Sequence, residues 1–356
     1  MSNNNFYEKP YDEGTISKLK IFELYAQEWI PVFTAKPEPD YNELHIFDFF
    51  SGPGRDMKGE IGSPLRILRQ LKNYSKKNLH GWEKIRKFVH FSDYDMQITE
   101  KLREELGKEE WSVPGIKIET DIASFEDPLR KNRSILEDKR MAKLLIIDQF
   151  GVDAVSDGIF KQLTTFPVTD FIFFLSSSTL HRFRDHPAIK IKIDDVDSSY
   201  DVHRAAFEYF KKMSPVDFFL GRFSIKKKSN IYGLVFGSKH PLGIHKFLQV
   251  AWKEDNMAGE ANFDIEGENI KQRETLLLHI IVPKKIEKFE GDLKIEIENK
   301  NIKSETDIIR FCLNAGMTCQ HSTPLLKELK RQKIIECAFD TPNIANFKKP
   351  RPVTYL

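Results

Sequence analysis

Acidic side chains recur in the first half of the sequence, each at the end of an apolar segment. The first, Asp48, precedes a glycine turn, Ser51-Gly52-Pro53-Gly54, and the others are Asp93, Asp121 and Asp148. In an open parallel sheet, ligands bind beyond the carboxyl ends of the strands. We therefore expect these carboxylates to line one binding site. The alternative is that aspartates are simply frequent in loops.

The glycine turn lies in the segment LHIFDFFSGPGRDMKGEIGSPL, from Leu44 to Leu65, between a strand-like run and a helix-like one. Glycines allow a tight turn and let the backbone approach a ligand with no Cβ in the way. The spacing is G-x-G with no third glycine at the position that the G-x-G-x-x-G motif requires, so the pyrophosphate-binding fingerprint of dinucleotide folds is absent. Asp48 suits the amino group of S-adenosylmethionine (SAM) better than it suits a pyrophosphate. The turn therefore predicts a SAM site of the methyltransferase type.

Each of the later acidic residues has a predicted role in that site. Asp93 is placed to accept hydrogen bonds from both ribose hydroxyls, and Asp121 to accept one from the adenine amino group. Asp148 is predicted to lie nearest the transferred methyl. The complete set of predicted SAM-binding residues is Asp48, Ser51, Gly52, Pro53, Gly54, Ser63, Asp93, Asp121 and Asp148.

Apolar runs alternate with amphipathic segments, which predicts a mostly parallel sheet with helices on both faces. Helices are predicted over Ile16–Phe33 and over Pro64–Tyr74, the latter with Ser63 as its N-cap. The remaining predictions are a helix over Gln97–Leu106 and strands over His45–Phe50, Lys87–Ser92, Gly115–Glu119, Ala142–Ile147, Val168–Leu175 and Ile231–Phe236. A strand pair after the fifth strand fits the last two strands of a methyltransferase sheet, one of them antiparallel. The predicted fold class is α/β and Rossmann-like.

Composition is that of an ordinary globular protein of 356 residues, with 30% charged residues, 40% hydrophobic residues and a net charge of +2. No apolar run approaches the about 20 residues of a membrane span. The N-terminus carries no basic-then-apolar signal peptide. Three cysteines, Cys312, Cys319 and Cys337, fit neither a zinc site nor a disulfide framework. We expect a cytoplasmic, reduced protein with no metal and no membrane contact.

Several short motifs occur in an order that resembles a known family. Lys20, Tyr25 and Trp29 are followed by DFFSGPG (48–54), GSP (62–64), DQFG (148–151) and YGLVFGSKHPLG (232–243). This order resembles the three-Cys-motif partner proteins (TcmP), from about Lys18 to Trp252. The resemblance implies a SAM-dependent methyltransferase-like fold in a bacterial or phage protein found beside a partner that carries three cysteines. That motif belongs to the partner, so the three cysteines here are not that motif.

The end of the fourth strand is the predicted catalytic segment, Asp148, Gln149 and Phe150. The resembling family usually has D-P-F-G where this chain has Asp148-Gln149-Phe150-Gly151. In enzymes that methylate base amines, an Asp or Asn orients the exocyclic amine and an aromatic ring stacks on the extruded base. Asp148 and Phe150 fit these roles; alternatively, Phe150 is core and Asp148 caps a helix. Gln149 lacks the fixed φ of proline, so the loop is less rigid or the chemistry differs.

Two basic regions are candidates for contact with nucleic acid. One is a rim made of His181, Arg182, Arg184, His186, His203 and Arg204. The other is the C-terminal segment, where helices over Glu305–Asn314 and Ser322–Gln332 precede a strand over Ile334–Phe339 and a basic tail. This order resembles a winged helix, which binds DNA in some proteins. Units of this kind also mediate protein pairing.

Three domains are predicted from these patterns. Residues 1–255 form the methyltransferase-like domain, residues 256–302 a linker or insert with short strands, and residues 303–356 the winged-helix-like unit. The short strands of the insert are expected over Leu276–Val282 and Leu293–Ile297.

Three functions remain open at this stage. The first is a SAM-dependent methyltransferase that acts on nucleic acid. The second is a SAM-binding accessory subunit that works with a three-cysteine iron–sulfur partner enzyme, which the family resemblance implies. The third is a non-catalytic nucleic-acid-binding protein whose sheet has lost cofactor binding. The intact glycine turn and the strand-end acids argue against the third.

Overall fold

A computed structural model of the protein describes residues 9–77, 79–148, 155–176, 202–227, 230–254 and 284–356. The helices before the sixth strand are α1 (Glu13–Thr34), α2 (Ser63–Ser75), α3 (Met96–Leu106), α4 (Glu126–Lys131), α5 (Arg133–Glu137), α6 (Asp157–Thr165) and α7 (Val202–Met213). The later helices are α8 (Pro241–Glu254), α9 (Lys284–Glu298), α10 (Glu305–Asn314) and α11 (Thr323–Arg331). The strands are β1 (Glu43–Asp48), β2 (Arg86–Asp93), β3 (Ile116–Ile122), β4 (Met141–Ile147), β5 (Thr169–Ser176), β6 (Phe219–Lys227), β7 (Asn230–Ser238), β8 (Ile335–Glu336) and β9 (Thr354–Tyr355).

Seven of the described strands form one sheet in the order β3-β2-β1-β4-β5-β7-β6. Strands β1 to β5 are parallel, and β7 runs antiparallel to β5. The fold is therefore a Rossmann-like sheet of the SAM-dependent methyltransferase type, as the sequence predicts. The strand order reverses between β1 and β4, which makes the carboxyl ends of these two strands the expected ligand site.

Helix α1 is fixed on the sheet and on α2 by buried polar contacts. Tyr25 donates a hydrogen bond to Asp170 of β5, with the oxygens 2.7 Å apart. Glu23 accepts from Arg66, Arg69 and Gln70 of α2 at 2.5 to 2.9 Å. Because both ends of these contacts lie on regular elements, the side chains that α1 presents to the sheet edge are held in defined positions.

A row of polar side chains crosses β1, β2 and β3. His45 Nε2 lies 2.7 Å from a Glu43 oxygen, and His45 Nδ1 lies 3.0 Å from His90 Nε2. His90 Nδ1 lies 3.1 Å from a Glu119 oxygen. The His90 ring also stacks on Phe47 at a centroid distance of 4.2 Å. Burial lowers the pKa of both imidazoles, that of His90 to about 4.

The described chain divides into two compact units. One consists of the described residues up to Phe218 together with Ile225–Lys239, and the other of Phe219–Ser224 together with the described residues from His240 onward. The predicted domain boundaries, at residues 255 and 302, do not coincide with this division, and the three-domain division stays a prediction. In the second unit, α10 and α11 agree with the predicted helices, and β8 pairs antiparallel with β9. The winged-helix identity of this unit stays a prediction.

One predicted strand is wrong. Leu293–Ile297 lies within helix α9, because Phe289, Leu293 and Ile297 recur every four residues and are all buried, whereas Ile295 is 53% exposed. The alternation of apolar and polar residues over these five positions is part of a longer stripe of apolar residues along one face of the helix. The other predicted strand of the insert, Leu276–Val282, lies outside the described residues.

Acidification should destabilise the fold through His90. Its folded pKa is about 4, against 6.5 for an ordinary imidazole. Between these values the unfolded chain binds more protons, so the free energy of unfolding falls as the pH falls, and the stabilisation is complete above the unfolded pKa. We expect a loss of about 2–3 kcal/mol from this group, measured by urea unfolding across that range.

The control for this prediction is a glutamine exchange at two positions. His90→Gln cannot titrate at this position and should reduce the pH dependence, with His45 still contributing, whereas His80→Gln, at an exposed histidine, should keep the parent dependence. The same slope in His90→Gln as in the parent protein would contradict the role of His90.

Candidate functional site

The site is built where the strand order reverses. Asp48 is the last residue of β1, in register with Phe91 of β2 and Ile146 of β4. Asp148 follows the end of β4 directly. Parallel pairing therefore brings the two carboxylates to the same edge of the sheet.

Asp48 is fully buried, and half of its carboxyl group lacks a partner. Oδ1 accepts a long hydrogen bond of 3.4 Å from the Phe50 amide, and the Ser63 hydroxyl lies beside the carboxyl. Oδ2 has no hydrogen-bond partner among the described residues. Burial raises the pKa of Asp48 to about 7, the Ser63 contact lowers it, and the nearby Asp148 raises it further. A buried polar atom left without a partner is rare and indicates a place for a ligand atom.

The glycine turn is held by contacts to β2 and α2. Gly52 and Gly54 have φ values of +63° and +86°, which glycine adopts without strain. The Ser51 amide and hydroxyl both donate to the Ser92 carbonyl at 3.1 Å. The Gly62 amide donates to the Gly54 carbonyl at 2.7 Å. Ser51 therefore braces the turn with its hydroxyl.

A Cβ at Gly54 would meet Leu102 and Glu105 of α3 and Leu65 of α2, so the missing side chain lets the turn pack closely on these helices. Contact of the Gly54 backbone with a cofactor stays a prediction, whereas the predicted N-cap of the next helix needs correction. Ser63 is the first residue of α2 rather than its N-cap, which is Gly62 with no side-chain cap. The Ser63 hydroxyl lies beside the Asp48 carboxyl instead and lowers its pKa.

Asp93 ends β2 and is oriented by backbone amides. Its Oδ2 accepts from the Gly52 amide at 3.2 Å and its Oδ1 from the Asp95 amide at 3.1 Å. Burial raises its pKa, and these amides lower it. Since an ionised carboxylate has about four acceptor positions, two remain for a pair of hydroxyls.

Asp121 lies within β3, two residues beyond the strand predicted from the sequence, and pairs with Ser92 of β2. Its side chain is 38% exposed and bonds to Lys131 at 2.7 Å. A cavity of ≈ 320 Å³ opens beside it, lined by Asp121, Ile122, Ala123, Asp127, Pro128, Arg130 and Lys131. Thus Asp121 borders an open pocket next to the β2 end, where a planar group could enter.

Asp148 forms a buried ion pair with Lys18 of α1. The Lys18 Nζ lies 2.6 Å from each carboxylate oxygen, and the two side chains are 7% and 10% exposed. The Tyr11 phenol lies nearby. Burial raises its pKa, and the charges of Asp56, Asp148 and Asp48 raise it further. The segment that contains Tyr11 and Lys18 therefore covers the edge between β1 and β4.

Sequence reasoning missed some of these groups. Lys18 occupies the buried face of α1 with Phe22, Tyr25 and Trp29, at spacings of four, three and four. A lysine in an apolar stripe was the signal that could have found it. Tyr94 and Ile122, next to the Asp93 and Asp121 carboxylates, are large apolar side chains left 72% and 42% exposed.

Several predicted groups are not part of the described site. Gln149 and Phe150, and the rim residues from His181 to His186, lie outside the described residues, and the side chains of His203 and Arg204 are also outside them. Within the part of the chain that is described, no cluster of His, Cys, Asp or Glu is arranged to bind a metal ion. Among the same residues, no helix is both long enough and apolar enough to cross a membrane.

Comparison with solved structures finds weak likenesses to several proteins, methyltransferases among them. The O-methyltransferase TomG of Streptomyces achromogenes, solved with SAM, is 13% identical with a TM-score of 0.35, over 62% of this chain and 78% of TomG. A DUF574 family protein of Streptomyces avermitilis is 13% identical with a TM-score of 0.33, over 61% of this chain and 81% of that one. A Clostridium thermocellum protein provisionally described as an rRNA methylase is 8% identical with a TM-score of 0.31, over 64% and 100%.

No family model matches the sequence, and no curated protein matches it either. Because the structural likenesses are weak, the methyltransferase-type fold is read from the strand order of the sheet itself.

Gly54→Ala should lower the free energy of unfolding more than Gly59→Ala. Both glycines have positive φ, +86° and +84°, so both variants lose about 1 kcal/mol to backbone strain. Only at Gly54 would the new Cβ be crowded, at 3.1 Å from Leu102 Cδ1, whereas nothing lies within 4 Å at Gly59. We expect an additional loss of about 1 kcal/mol or more at Gly54. Urea unfolding measures it; equal losses would show that the turn does not pack on α3.

Proposed function

We propose that the protein is a SAM-dependent methyltransferase. The observation that carries this proposal is the unpartnered Asp48 oxygen, fully buried at the point where the strand order of a methyltransferase-type sheet reverses. An ammonium group is the natural partner for a buried carboxylate, because it supplies both charge and hydrogen-bond donors. The amino group of the methionine part of SAM is such a group.

The remaining strand ends offer partners for the rest of the cofactor. Asp93 keeps two acceptor positions for the ribose hydroxyls, and Asp121 borders the open pocket for the adenine amino group. Tyr94 and Ile122 are neighbours of these carboxylates, since Asp93 is in register with Ile122. Their exposed apolar surfaces suit the faces of a purine ring. When SAM is bound, it supplies the methyl group as a sulfonium.

Methyl transfer needs little chemistry from the protein beyond alignment of the two reactants. The acceptor binds at the Asp148 side of the pocket, where the carboxylate is oriented by its ion pair with Lys18. We propose nucleic acid as the acceptor, with Phe150 stacking on a base and Gln149 replacing a rigid proline. The sequence order Asp-x-aromatic after β4 supports this choice.

The C-terminal unit is a second proposed contact with nucleic acid. Helix α11 carries Lys327, Lys330 and Arg331, with Lys333 after its end. Lys330 pairs with Asp340 at 2.7 Å and Arg331 with Glu328, so half of this positive charge is already compensated.

The accessory-subunit hypothesis stays a proposal beside the first. It rests on the resemblance to three-Cys-motif partner proteins and predicts SAM binding without transfer by the isolated chain. Binding to an iron–sulfur partner would be its positive sign. Transfer of a methyl group by the purified protein separates the two hypotheses.

SAM affinity should fall about tenfold per pH unit below 7, because only ionised Asp48 pairs with the ammonium and its pKa is about 7. The amino group of SAM stays protonated there, since α-amino groups titrate at about 7.7–8.0. Calorimetric titration with SAM between about pH 5.5 and 7 measures this. Asp48→Asn should bind weakly with a flat profile, and the exposed Asp40→Ala should behave as the parent. A flat profile in the parent protein would remove Asp48 from the cofactor site.

Asp148→Asn should abolish methyl transfer while binding of SAM persists. The purified protein is incubated with methyl-labelled SAM and with total DNA, RNA or protein of its native host, and the labelled fraction identifies the acceptor class. Label in the parent reaction and none in Asp148→Asn is the expected result. Equal label in both would place Asp148 outside the reaction.

A further inference from the structure

The ion pair of Lys18 and Asp148 has a consequence for the charge of the pocket. Three carboxylates, Asp48, Asp93 and Asp148, converge on one sheet edge, and within the described ranges Lys18 is the one cation that forms an ion pair with any of them. Its Nζ also lies 4.6 Å from the centre of the Phe174 ring. Burying two such charges is expensive, and an apolar pair of similar volume is often as stable. A role other than stability is therefore indicated.

Polar groups from three elements lie near Asp148. Lys18 approaches from α1, Asp48 from the end of β1, and Tyr11 from the segment before α1. Phe174 of β5 contributes a ring face and no formal charge. With Lys18 present, Asp148 and Lys18 together are neutral. Without Lys18, Asp148 would be a buried anion beside a second carboxyl.

The reaction makes this neutrality important. In methyl transfer from SAM, the C–S bond breaks and its electron pair stays on sulfur, while an acceptor lone pair forms the new bond to carbon. The acceptor then releases a proton to solvent. Positive charge therefore leaves the sulfur as the reaction proceeds. An unpaired carboxylate near the sulfonium would stabilise the donor more than the transition state, which slows the reaction.

We infer that Lys18 is a specificity-determining residue that neutralises the charge of Asp148. Because of this neutralisation, the pocket does not bind the sulfonium donor more strongly than the transition state and the thioether product. This inference rests on the proposed SAM site. It assigns to α1 a role in balancing donor against product, beyond covering the sheet edge.

The test compares SAM with S-adenosylhomocysteine, which lacks the methyl group and the charge on sulfur. Calorimetry gives the ratio of the two dissociation constants, product over donor. Lys18→Met leaves a negative charge near the sulfur and should raise this ratio about tenfold or more. Asp148→Asn leaves a positive charge and should lower it. Lys18→Arg should keep the parent ratio.

Two controls separate this role from a structural one. The double variant Lys18→Met/Asp148→Asn has no unpaired buried charge and should return to the parent ratio of dissociation constants. This variant also keeps the test decisive if Lys18→Met alone does not fold. Lys20→Met, at an exposed lysine of the same helix, should change nothing.

Equal weakening of both ligands in Lys18→Met, with the ratio unchanged, would overturn the inference and leave the proposed function standing. A ratio in the double variant that departs from the parent as far as that of either single variant would also overturn it. Absence of binding of either ligand to the unaltered protein would overturn the proposed function and this inference together.

Discussion

Burial of carboxylates at one sheet edge is the constraint on which the rest of the structure depends. The reversal of strand order between β1 and β4 brings Asp48 and Asp148 together, and β2 adds Asp93. A buried carboxylate is tolerated only when it is hydrogen-bonded, paired or neutral. Asp93 is satisfied by backbone amides and Asp148 by a lysine, whereas Asp48 retains an unpartnered oxygen. Of the three carboxylates, Asp48 therefore offers the position where a positively charged group of a ligand fits.

The surrounding elements hold these groups in position. Helix α1 supplies Lys18, and it is fixed by Glu23 to α2 and by Tyr25 to Asp170 of β5. The glycine turn joins β1 to α2, and its Gly52 amide donates a hydrogen bond to Asp93. Gly54 packs against α3, the helix that follows β2, and this contact fixes the turn to that helix. Within the described residues, the site thus depends on helices, strands and one short glycine turn.

Local patterns predicted the fold and the strand ends, because continuous apolar runs and a glycine turn are properties of short segments. Helix α1, the helix after the turn, and the first five strands were all found this way. Contacts between distant segments were not predictable: Lys18 and Asp148 are 130 positions apart, and nothing near either residue specifies the other. The N-cap of α2 lies one residue before Ser63, and β3 continues through Asp121. Both details depend on contacts that form only when the chain folds. Leu293–Ile297 failed because the window was shorter than the helical stripe.

A crystal structure of the protein with S-adenosylhomocysteine would show directly whether Asp48 binds the cofactor. We expect the ligand amino nitrogen within hydrogen-bond distance, about 2.7–3.2 Å, of Asp48 Oδ2. The ribose hydroxyls should lie on Asp93 and the thioether sulfur on the Asp148 side. A ligand bound elsewhere, with Asp48 Oδ2 still unpartnered or bonded to a protein group, would contradict this expectation.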